Sequence, residues 1–112
     1  MITRLWRASA ERDRRDAYPE HFRRHVVPEL RAVAGFLGAD LLSRDTADTV
    51  EFTVLTRWES MDAIRRFAGE DPERAVVDPE AAAVLRRFDR RVTHDEIVEH
   101  VEPQRPHPSG ID

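Results

Sequence analysis

The sequence predicts an α+β domain of ferredoxin-like order, βαββαβ, with a four-stranded antiparallel sheet. Three observations predict it. Residues 2–9 and 49–58 alternate with the two-residue period of strands. Between them Tyr18, Phe22, Val26, Leu30 and Val33 recur at spacings of four and three, the stripe of an amphipathic helix. The 112-residue length suits one core rather than two.

The first strand places Ile2, Arg4, Trp6 and Ala8 on one face and Thr3, Leu5 and Arg7 on the other. Helix 1 is expected from about Asp13, with Pro19 tolerated in its first turn and Pro28 kinking or splitting it. Gly35 is the expected residue after its end. Residues 36–44 read as strand two, and the polar Asp45-Thr46-Ala47-Asp48 as the turn of a hairpin. Strand three follows, with Val50, Phe52, Val54 and Trp58 on one face. Ser60 is placed to cap helix 2, which runs to about Ala68 and buries Met61, Ile64 and Phe67. Asp71-Pro72 and Asp78-Pro79 each resemble an N-cap followed by a first-turn proline, so each is expected to open a short helix. The second of these would carry Ala82, Val84, Leu85 and Phe88. The last strand is expected over Arg91–His100, and residues 102–112 form a loose tail with spaced prolines after a single domain over 1–101.

A sheet with both helices on one side leaves its other face bare. Both faces carry apolar side chains, so a second copy of the sheet is the expected cover and a homodimer the expected state.

Composition narrows the chemistry. Cysteine is absent, which removes thiolate metal sites and a cysteine nucleophile. Lysine is absent too, which removes Schiff-base catalysis and a phosphate-loop lysine. A net charge of -4, with Arg interleaved among Asp and Glu, argues against nucleic acid as a partner. No apolar run approaches membrane-spanning length, and Met1 leads straight into a strand, so a cytoplasmic protein without a membrane partner is expected.

Four segments carry a family resemblance. They are Met1–Arg7, Pro28–Ala39 with its Gly-Phe-Leu-Gly turn, Glu51–Ser60 with Trp58-Glu59-Ser60 at the strand end, and Val92-Thr93-His94. On these the chain resembles the antibiotic biosynthesis monooxygenase-like (ABM) domains over about residues 1–100. The resemblance implies a dimeric α/β barrel. It also implies a choice among cofactor-independent oxygenases of polycyclic phenols, haem-degrading enzymes and domains without assigned function. The haem-degrading branch uses a first-strand Asn, a Trp late in helix 2 and a haem-ligating His about nine residues later. Here Trp6, Phe67 and Val76 stand at those places, which points away from haem cleavage.

The implied activity is therefore oxygenation of a small aromatic or polyketide-like substrate without a cofactor. The alternative is a non-catalytic small-molecule-binding or structural dimeric domain. Trp6, Tyr18, Trp58 and Phe67 are the candidate pocket-lining residues, each of which could equally fill the core. His94, mid-strand beside apolar neighbours, is the candidate catalytic base. His21 and His25 have the four-residue spacing of metal ligands on a helix face, but no third ligand is identifiable, so no metal is expected. Arg7 and Arg57 could hold an anionic substrate or form salt bridges between subunits, and the paired arginines elsewhere read as solvated faces.

Overall fold

A computed structural model describes residues 1–104; residues 105–112, most of the expected tail, lie outside the described residues. The sheet contains β1 (Ile2–Glu11), β2 (Phe36–Asp45), β3 (Thr49–Trp58), β4 (Arg87–Phe88) and β5 (Thr93–Glu96). Its order is β2-β3-β1, with β4 and β5 both on the remaining edge of β1, and every pairing is antiparallel. This is the expected ferredoxin-like arrangement, with the fourth strand broken in two.

The break follows from a length mismatch. Ala8 pairs with Phe88 and Leu5 with Thr93, so four residues, 89–92, face only Trp6 and Arg7. Surplus residues in a strand bulge outward and leave backbone groups without ladder partners. Here the preceding connection supplies them. The Ala75 N–H donates to Arg90 O at 2.9 Å, and the Val92 N–H donates to Glu73 O at 2.8 Å. The same need explains why Asp71-Pro72 opens no helix: residues 71–74 make a turn, with the Arg74 N–H donating to Asp71 O, and the next residues pair with the bulge. The strand expected over 91–100 accordingly starts earlier and stops at Glu96.

The long helix is a composite of α1 (Ala17–His21), a π turn (Phe22–Val26) and α2 (Val27–Arg31), preceded by a 3-10 turn at Arg12–Arg14. Pro28 has no N–H and its ring crowds the carbonyl four residues back. The ladder slips just before it: the Val27 N–H donates to Phe22 O, five residues earlier. The predicted interruption thus takes the form of a widened turn, not a break. α3 (Met61–Ala68) begins as expected, Ser60 Oγ accepting from the Ala63 N–H at 3.2 Å. α4 (Pro79–Ala83) is capped by Asp78 Oδ1 on the Ala81 N–H at 2.8 Å. It is shorter than expected, because Phe88 belongs to β4.

Both helical layers lie on the face carrying Trp6, Ala8, Val50, Phe52, Val54 and Trp58. The core divides into two clusters. One gathers Trp6, Tyr18, Phe22, Phe52 and Val92; the other gathers Leu30, Trp58, Ala63 and Ile64. The opposite sheet face bears Leu5, Leu42 and Leu55 among Thr3, Thr53 and paired charges, and Leu42 is half-exposed. Among the described residues no helix is long and apolar enough to cross a membrane.

Candidate functional site

A cavity of about 50 Å³ sits at the seam between the two core clusters. Its floor is Arg4, Trp6, Val54 and Thr56 of the central strands, its wall Tyr18, Val26 and Leu30 of the composite helix. Phe67 of α3, the roof segment Val76-Val77-Asp78, Ala81 and Val92 complete it. Strand alternation puts Arg4 and Trp6 on the same side as Val54 and Thr56, which are their cross-strand partners in swapped order.

Arg4 is the most constrained polar group in the cavity. Its guanidinium donates to Arg74 O at 2.8 Å and to Pro72 O, so it also ties down the roof connection. A third contact runs from Nη1 to His94 Nε2 at 3.1 Å. Arginine has only donors, so Nε2 of His94 accepts and the imidazole proton sits on Nδ1. Burial pulls the Arg4 pKa down to about 10, and its Cζ stands 5.8 Å from the Phe67 ring centroid. His94 is pushed below its ordinary value, first by burial and then by the charge of Arg4.

Trp6 is fixed by its indole, which donates to Asp89 O in the strand bulge at 2.7 Å. Its ring meets Tyr18 at 5.7 Å and Phe88 at 6.4 Å between centroids. The Tyr18 phenol is pushed up by burial and then by the charge of Asp78. Its hydroxyl has no hydrogen-bond partner among the described residues. A neutral donor therefore stands in the cavity wall.

Trp6, Tyr18 and Phe67 thus line the cavity, while two other expected residues stand outside it. Trp58 is wholly buried behind the wall, donating to Thr56 Oγ1 at 2.7 Å and lying against Phe67 at 5.6 Å. His94 lies beyond Arg4 and reaches the cavity only through it. Sequence reasoning missed Arg4, Thr56 and Asp78. The signal for Arg4 was present, since it is the one charged residue among Ile2, Trp6 and Ala8 on its strand face.

A second group lies on the outer side of Asp78. The His21 and His25 rings are 5.1 Å apart, and α4 brings Glu80 to them, with one ligand atom from each of the three within 4.8 Å of the others. This is the third candidate ligand that the sequence could not place.

The family described as antibiotic biosynthesis monooxygenase matches residues 1–79 of the chain. No curated protein matches it. Among solved structures, a Bacillus cereus protein ascribed to the same class is 14% identical with TM-score 0.66, covering 93% of this chain and 97% of its own. A monooxygenase from the ActVA-Orf6 gene of Streptomyces coelicolor, in complex with nanaomycin D, is 17% identical with TM-score 0.59, covering 92% of both chains. The heme-degrader MhuD of Mycobacterium tuberculosis, with two hemes in its active site, is 23% identical with TM-score 0.54, covering 91% of this chain and 100% of its own. At these identities the likeness is one of fold.

Proposed function

Because this chain belongs to the antibiotic biosynthesis monooxygenase family, we propose that it oxygenates a small phenolic, polyketide-like substrate in the Arg4–Trp6–Tyr18 cavity without an added cofactor. The observation that carries this reading is a buried guanidinium and a phenol without a hydrogen-bond partner among the described residues, both lining one aromatic-walled space. A phenolate fits those two donors, and Trp6 and Phe67 supply apolar surface for its rings.

Molecular oxygen is the co-substrate and the phenol supplies all four electrons. The phenol enters as its phenolate, its proton left to solvent, and Arg4, positioned by its Nη1 contact to His94 Nε2, keeps its charge against that phenolate. The para carbon of the electron-rich ring then adds oxygen, and a proton from solvent gives a hydroperoxide. Loss of the carbon-bound hydrogen with the distal oxygen as water leaves a quinone. One oxygen atom enters the ring and the other leaves as water.

The cavity of about 50 Å³ is far below the several hundred of a typical ligand site. Admission of a substrate therefore requires the 73–78 roof to lift. Haem does not fit: the lining offers Val76 and no imidazole to ligate the iron. The bare face with Leu5, Leu42 and Leu55 supports a homodimer as the working assembly.

The test is oxygen uptake with a panel of naphthol- and anthrone-type phenols, read together with quenching of tryptophan fluorescence. Quenching with quinone formation in the wild type, lost in Arg4→Met, is the expected result. The small cavity favours one competing reading, a binding domain with no turnover. Quenching without oxygen uptake selects that reading, and neither signal removes both.

A further inference from the structure

We propose that His21, His25 and Glu80 form a binding site for a divalent transition ion of the zinc class, bridging the composite helix and α4. Two imidazoles and one carboxylate are a donor set that suits such ions. Ligands around zinc, at about 2.0–2.2 Å from the ion, lie roughly 3–4 Å from one another. The 4.8 Å spread here closes to that range by rotamer changes in His25 and Glu80, which are exposed.

A second observation points to the same place. His21 is only 8% exposed, and its Nε2 is a buried polar atom with no hydrogen-bond partner among the described residues. Asp78 Oδ2 lies 3.2 Å from it, close enough for an ion pair but out of line for a hydrogen bond. Leaving such an atom unpaired is costly. A metal resolves it directly, or by binding Nδ1 and fixing the proton on Nε2, which then turns toward Asp78 in a carboxylate–histidine–metal arrangement. Among the described residues Arg24 is the arginine that shares this surface with His21, His25 and Glu80, and it is already paired with Glu20 at 3.2 Å.

The site lies outside the substrate cavity, with Asp78 between them, and it does not depend on the oxygenase reading. Its effect is to join the helix that carries Tyr18 to the roof that carries Asp78.

The experiment is a titration of the tag-free full chain with zinc and with cobalt, read by competition against a chromophoric chelator, by cobalt visible absorption and by thermal midpoint. One equivalent is expected to bind and raise the midpoint. His25→Ala and Glu80→Gln are each expected to weaken binding by about tenfold or more, in line with losses at metal sites. Both residues are exposed, so these variants keep the fold even where His21→Ala does not. Absence of saturable binding overturns the proposal. So does wild-type affinity in both variants, which puts the ion elsewhere.

Discussion

Arg4 and His94 face each other across adjacent strands, as a registered pair of β1 and β5, with 3.1 Å between Nη1 and Nε2. One is a permanent donor, so the other is required to stay neutral. The guanidinium that lines the cavity among the described residues is thus held by an imidazole lone pair.

His94 is expected to titrate below the ordinary histidine value of about 6.5. Its proton is bound more weakly in the folded than in the unfolded chain. Stability is therefore full above about pH 6.5 and declines as pH falls below it toward the folded value. Histidine side-chain NMR gives the midpoint, and denaturant melts across pH 5–8 give the slope. In His94→Gln, whose amide oxygen still accepts from Arg4, the slope shrinks; an unchanged slope assigns the acid sensitivity to other groups.

Tyr18 is the only tyrosine, so phenolate absorbance near 295 nm reports it alone. Its folded pKa is raised above the unfolded value of about 10, so stability is full below that pH and falls as pH rises through it. The phenolate signal is expected to appear only with unfolding. Asp78→Asn keeps the helix cap and removes a charge, and should bring the signal to lower pH. Ordinary titration at pH 10 in a folded wild type would falsify the buried-phenol assignment.

Trp6→Phe removes the one side-chain donor to Asp89 O among the described residues and leaves a part-buried carbonyl with lost pairing. The expected cost is about 1–3 kcal/mol in denaturant unfolding. A cost near zero would mean that the bulge finds another donor.

Arg91 bonds Asp71 at 2.9 Å and Glu73 at 3.1 Å, and its hydrogen bond holds the Asp71 carboxyl below the usual range. These pairs are exposed and contribute little to global stability. Arg91→Ala should leave the melting midpoint nearly unmoved while speeding amide exchange at Ala75 and Val92, whose backbone bonds help to anchor the roof. Equal exchange in both proteins argues against a hinged roof.

Gly35 has φ +94°, and a Cβ there would lie 2.5 Å from the Ala63 Cβ. Gly35→Ala is expected to lose at least about 1 kcal/mol, from left-handed backbone and from the contact with α3 together. Chemical denaturation with an unshifted midpoint would mean that the α3 approach relaxes freely.

The strands, the capped α3 and the ferredoxin-like order were legible because each rests on local period and capping. The fourth strand was not, since residues 89–92 look like ordinary strand until their register with β1 is known. Asp71-Pro72 carries the same local signal as Asp78-Pro79 yet makes a turn, because the bulge recruits the residues that follow it. The site was half legible for the same reason. Trp6 and Tyr18 announce themselves by type and face, whereas Glu80 meets His21 and His25 only through the path of a connection that no period encodes.

The surplus of two residues opposite Trp6 and Arg7 has an evolutionary reading. A chain whose fourth strand ran flush with β1 would offer no outward carbonyl for the indole of Trp6 or the amide of Ala75, and the roof would lose its moorings. Gain or loss of two codons there would open or close the cavity without altering Arg4, Trp6 or Tyr18 in its lining. Indels at this strand are therefore the place to look for a change of activity among related sequences.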